Sequence, residues 1–205
     1  MYQLELLRTA TATYIAQVKD LFHRAESQNP DAFNRSWEVY QAAGIARPDR
    51  LVALDVKCIR TLIATADFDL NLNELEFVSE TSESHGTLTL REWARSWALR
   101  APGLATQLHD PGMQEALEEW KQAIFGSAAA ATHPSGFDFM VLFDSVAGTR
   151  LSATYAEHVM SYANAVSVCD PGGAEEETRA VAKMREDMRR FALEKGAGDP
   201  FEVRD

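Results

Sequence analysis

Two cysteines in 205 residues, Cys58 and Cys169, do not make a disulfide scaffold. Both stand in apolar helical surroundings without metal-ligand spacing and are read as buried free thiols. Basic residues are few, 20 Lys and Arg against 31 Asp and Glu, for a net charge of −11. That balance argues against a nucleic-acid-binding surface and against anionic membranes. No apolar run approaches the roughly 18–20 residues needed to span a bilayer. The opening Met1-Tyr2-Gln3-Leu4-Glu5 lacks the basic start and apolar block of a signal peptide, so a cytoplasmic location is expected. Also missing are a Gly-x-x-x-x-Gly-Lys-Ser/Thr loop and a Gly-x-Ser-x-Gly elbow around Ser145. His23, His85, His109, His133 and His158 are scattered, with no partner at metal-ligand spacing. His158 beside Glu157, with Asp144 and Ser145 upstream, is the one grouping that the fold could arrange into acid–base work, though a surface or interface histidine accounts for it more simply. On this basis no enzymatic activity is expected.

What is present is helical periodicity. Leu4, Leu7, Thr11, Tyr14, Ile15, Val18, Leu21 and Phe22 recur at three and four residues, which predicts an amphipathic helix ending near Ser27-Gln28-Asn29-Pro30. Ala32 to Ala43 follows as a shorter helix carrying Phe33, Trp37 and Tyr40, stopped by Gly44. Leu51 to Thr65 is the next, with Leu51, Leu54, Cys58, Leu62 and either Ile59 or Ile63 expected to face the core. Helices are also expected over about 72–82, from Thr89 to Ala101 and from Pro111 to Phe125. The Ala-, Gly- and Ser-rich stretch 126–136 is the clearest linker. It divides an N-terminal region, 1–125, from a C-terminal one, 137–205, unless the two form one continuous domain. Beyond it, Phe137 to Val146 is strongly apolar and halted by Gly148. Tyr155, Val159, Tyr162, Ala163 and Val166 line another helix, and Glu175 to Lys195 a last one with Val181, Met184, Met188, Phe191 and Leu193 inward. No strand pattern survives, and the expected fold is an all-α multi-helix bundle.

Two acidic turns stand out within it. Leu62 to Val78 reads as the end of one helix, the turn Asp67-Phe68-Asp69-Leu70, and a helix capped by Asn71 with Glu74 at the capping-box position. Ala165 to Glu177 repeats the plan: an apolar run, Asp170, a Pro-Gly-Gly turn and an acid-led helix. Aligning Asp67 with Asp170 places Glu74 on Glu177 and Val78 on Val181, which suggests an internal repeat. Asp67, Asp69, Asn71 and Asn73 alternate as the first oxygen ligands of an EF-hand loop do. Leu72 stands where that loop needs Gly, and Val78 where it needs its closing Glu, so any such site is weak; helix capping explains the same residues without an ion.

The pattern of Ala66-Asp67 with Glu74, and of Cys169-Asp170 with Glu177, resembles the TerB-like family, small helical bundles associated with tellurite-resistance and stress-response operons. Phe68 and Pro171 replace the glycine that usually follows the Asp. The pairing of two divergent copies is similar to helical regions that precede AAA-type ATPase domains. The resemblance implies two divergent TerB-like repeats acting as a non-enzymatic interaction or regulatory module in a bacterial stress-response or defence system. Its partner would be a protein, such as an ATPase or another operon-encoded chain, with homodimer formation also open. Trp93 and Trp97, four residues apart, are the candidate docking residues. The alternative is a divalent-cation sensor, with Asp67, Asp69, Asn71 and Glu74 as ligands and Asp170 and Glu177 as their counterparts. A weakly bound divalent cation is the only cofactor suggested.

Overall fold

A computed structural model describes residues 4–45, 47–66, 132–169 and 174–202, with isolated helical positions between 115 and 126. The described residues form helices and no strands: α1 Leu4–Gln28, α2 Pro30–Ala42, α3 Pro48–Ala64, α4 Ser135–Ala147, α5 Leu151–Cys169 and α6 Ala174–Glu194. The all-α expectation is met.

Local sequence explains the boundaries. Pro30 has no N–H to donate and its ring opposes the preceding turn, so α1 ends and α2 begins there. Asn29 supplies the cap, its Oδ1 accepting the Ala32 N–H at 3.1 Å. Pro48 opens α3 in the same way after an extended Arg47. Between α4 and α5 the corner is built by Gly148, in the left-handed region at φ 70°, and by Asp144. The Gly148 N–H closes α4 on the Asp144 carbonyl at 2.8 Å. The Asp144 carboxylate then accepts the Leu151 and Ser152 N–H groups at 2.9 and 2.8 Å and the Thr149 hydroxyl, which caps α5.

The directions of the helices follow from which residues meet. Thr11 touches Arg60 and Tyr162, whereas Phe22, three turns further along α1, meets Tyr155. Asp55 meets Tyr155, and Arg60 meets Tyr162. Helices α3 and α5 therefore run parallel, with α1 antiparallel to both. One hydrophobic core draws on all six helices, those before and those after the 126–136 stretch alike. Its centre is aromatic: Phe139 of α4 lies 5.1–5.7 Å from the rings of Phe22, Phe33, Trp37 and Tyr40. Helix α6 buries Val181, Met184, Met188 and Ala192. After it, the chain folds back: Asp199 pairs with Arg189 at 2.7 Å, and Arg185 lies over the Phe201 ring at 4.7 Å.

Two inward faces differ from the sequence expectation. On α3 the buried set is Leu51, Val52, Asp55, Val56, Ile59, Arg60, Thr61, Ile63 and Ala64. Leu54 is 43% exposed and Cys58 and Leu62 are only partly buried. The true stripe is rotated because it includes an acid and an arginine, which an apolar-only count passes over. On α6, Leu193 is half exposed and Ala192 takes the inward place, one turn beyond Met188 on the same face.

Candidate functional site

The rotated face of α3 carries a polar seam through the interior. It begins at Asp55, whose side chain has no solvent exposure at all. Burial of a carboxylate is costly unless its oxygens are bonded. Here Oδ1 and Oδ2 share the Gly136 N–H at 3.0 and 3.1 Å, Oδ2 accepts the Tyr155 hydroxyl, and the Ser135 N–H also contributes. The residue before α4, Pro134, offers no side-chain cap. Asp55 supplies that function from another helix, at the end where the helix dipole favours negative charge.

This arrangement needs glycine at position 136. A Cβ there would overlap the Tyr155 hydroxyl and Asp55 Oδ2 and stand 2.8 Å from Tyr155 Cζ. Only an absent side chain lets the carboxylate and the phenol reach the helix backbone together.

From Tyr155 the seam continues along α1 and α5. The buried Tyr14 hydroxyl faces Tyr155 without a well-formed hydrogen bond, and the Tyr14 ring stacks on Tyr162 at 4.8 Å. Tyr162 accepts Arg60 Nε at 2.8 Å, and Arg60 Nη2 donates to Thr11 Oγ1 at 2.8 Å. Thr11 donates on to the Leu7 carbonyl at 2.7 Å. Arg60, 2% exposed, thus closes the seam at the end where α3 and α5 finish.

Electrostatics follow the burial. Desolvation pushes the Asp55 carboxyl up to about 7, the donors from Tyr155, Gly136 and Ser135 pulling back against it and Asp138 adding to it. Tyr155 and Tyr14 are held well above the ordinary phenol range, first by burial and then by the Asp55 charge. Cys58, one turn along α3 from Asp55, is pushed up to about 12 by burial and by Asp55 and Asp138, which makes it an inert thiol. Both cysteines are free.

A second polar chain borders the first. His133 Nε2 meets Asp138 Oδ1 at 2.5 Å, and His133 Nδ1 meets Thr132 Oγ1 at 2.8 Å. Hydroxyl, imidazole and carboxylate stand in the order of a nucleophile triad. Yet Thr132 adjoins His133 in sequence, Asp138 belongs to the first turn of α4, and the ring packs on Phe191 at 4.9 Å. The chain staples the lead-in of α4 to its first turn.

Of the sites expected from sequence, Asp67, Asp69, Asn71, Glu74, Asp170, Trp93 and Trp97 lie outside the described residues. Glu177 lies in the first turn of α6 and is buried. No group of three or more His, Cys, Asp or Glu side chains suited to a metal occurs among the described residues. His158 and Asp144 are not brought together: Asp144 caps α5, whereas His158 is influenced by Glu157 and by Asp20 and Arg24 of α1, with burial lowering its pKa. Periodicity places Tyr155 and Tyr162 inward as core residues, but does not single out Asp55 and Arg60. The available signal was a charged residue at each end of an α3 stretch whose apolar neighbours Val52, Val56, Ile59 and Ile63 share its helical phase. No described helix is long and apolar enough to cross a membrane. In comparison with known proteins, no family model, no curated protein and no solved structure matches the chain.

Proposed function

We propose that the chain is a non-enzymatic helical module that recruits or regulates a partner protein, in keeping with the TerB-like resemblance. The observation that supports this reading is the enclosure of Asp55. The Asp55 carboxyl accepts the Gly136 N–H on both oxygens and the Tyr155 hydroxyl on Oδ2, and none of its surface meets solvent. A catalytic group has to touch its substrate; this one holds helices together, which fits a structural role for it. The test joins light scattering with capture from native lysate, wild type beside Trp93→Ala/Trp97→Ala. A partner, or a second copy, retained by wild type and lost in the variant supports the module. A monomer that retains nothing ends the reading.

A cation sensor is the second reading, and one observation favours it. Parallel α3 and α5 finish at the same end of the bundle, and the first turn of α6 carries buried Glu177. Calcium, magnesium and zinc titrations followed by thermal melting decide it. A site predicts a stabilisation that rises with cation and is lost in Asp67→Asn; equal melting of both proteins at every concentration removes it.

A further inference from the structure

We propose that Asp55 is a proton latch: the first turn of α4 docks on α3 and α5 with one proton held at the Asp55 carboxyl, and loss of that proton favours undocking of that turn. The inference rests on the geometry of the seam and is independent of any partner or cation.

The groups facing Asp55 come from five helices. They are Tyr14 of α1, Tyr40 of α2, Cys58 one turn along α3, Asp138 with the Ser135 and Gly136 amides of α4, and Tyr155 of α5. None of these carries a positive charge, and Asp138 is negative. His133 is bonded to Asp138 and Thr132. The ionised carboxylate therefore has dipoles to answer it, but no countercharge among these neighbours. In the neutral state one Asp55 oxygen keeps the Gly136 N–H while the acid O–H donates to Tyr155 Oη. On deprotonation the proton passes to solvent and the Tyr155 O–H turns to donate to the carboxylate.

Undocking the turn at Ser135 and Gly136 returns Asp55 to water, where its ordinary affinity for protons is much lower. The docked form binds the proton more tightly, so linkage requires that rising pH shift the balance toward the undocked form. The ordinary carboxyl value near 4 and the docked value of about 7 set the window. Below pH 4 both forms are neutral and pH has no effect. Between 4 and 7 the open form is already ionised while the docked form keeps its proton, so opening rises up to ten-fold per pH unit. Above about 7 both are ionised and the rise levels off.

Hydrogen exchange followed by NMR tests this, read at the Gly136 and Phe137 amides from pH 4.5 to 8.5, with opening calculated after division by the intrinsic exchange rate. In wild type, opening of these amides is expected to climb steeply to near pH 7 and then flatten. In Asp55→Asn, whose amide reproduces the neutral acid's donor and acceptor, it is expected to be flat throughout. The carboxyl 13C shift of Asp55 in wild type is the companion measurement, independent of whether the variant folds. A midpoint near 7 supports the latch; a midpoint near 4, or a climb that persists in Asp55→Asn, overturns it.

Discussion

Alanine at position 136 distinguishes a glycine required by tertiary contact from one that merely sits in a helix. In an exposed helix, Gly→Ala stabilises by up to about 1 kcal/mol, because glycine loses more backbone freedom on folding. Gly136 is buried, in the first turn of α4, and a Cβ there would overlap Asp55 Oδ2 and the Tyr155 hydroxyl and lie 2.8 Å from Tyr155 Cζ. The ring cannot retreat freely, since it packs edge-on against Phe22 at 6.2 Å. Overpacking of a filled interior costs about 1–3 kcal/mol. Displacing the carboxylate from the Gly136 N–H leaves a buried donor without its acceptor, a further loss of about 1–3 kcal/mol. Set against the propensity gain, Gly136→Ala should destabilise by about 2–4 kcal/mol. Urea unfolding monitored by circular dichroism reads this directly, provided the denaturant slope is unchanged. Tyr155→Phe removes the oxygen that the new methyl meets, so the double variant should lose less than the two single losses added together, by about 1 kcal/mol. A Gly136→Ala protein as stable as wild type, or more so, would refute the close approach of Asp55 and Tyr155 to the backbone of α4.

Three further outcomes follow from the same contacts. Asp55 binds a proton more tightly in the folded protein than unfolded, so its contribution is fullest below pH 4 and is lost as pH rises to about 7, at roughly 1.4 kcal/mol per pH unit. Wild-type stability minus that of Asp55→Asn, measured by urea unfolding from pH 4 to 8, should fall across that window and then level. Asp144→Ala removes the cap on the Leu151 and Ser152 N–H groups and should cost about 2 kcal/mol, with part regained in Asp144→Asn; calorimetry at fixed pH measures both. Tyr162→Phe keeps the stack on Tyr14 but takes away the acceptor of Arg60 Nε, and should lower stability by about 1–3 kcal/mol in the same assay.

Helix class and most inward faces were legible because they depend on spacing. The α1 positions Leu7, Tyr14, Val18, Leu21 and Phe22, and the α5 positions Tyr155, Val159, Tyr162, Ala163 and Val166, are buried as their periodicity required. Asn29-Pro30, Gly44 and Gly148 marked ends because their effects on the backbone are local. Helix α3 was misread for a physical reason. Its stripe includes Asp55 and Arg60, and hydropathy assigns charged residues to water without regard to what another helix brings to meet them. The partners lie at positions 136, 155 and 162, a hundred residues or so away in sequence. Asp144 shows the same limit: sequence places it upstream of His158 and Glu157 without a defined role, and the fold uses its carboxylate to cap the backbone of α5.

The seam also accounts for why six helices with ordinary apolar faces settle in one arrangement. Apolar surfaces attract without direction, and a helix such as α3 could slide by a turn against α1 and α5 at little cost in buried area. Asp55 and Arg60 forbid that slide. They are five residues apart on α3, and their partners Tyr155 and Tyr162 are seven apart on α5. A one-turn shift would separate both pairs at once and pull two buried polar side chains away from these partners. Gly136 extends the constraint to α4, since only the residue lacking a side chain can face Asp55. Polar pairing in this interior thus works as a register pin, because it excludes alternative packings that apolar faces alone would allow.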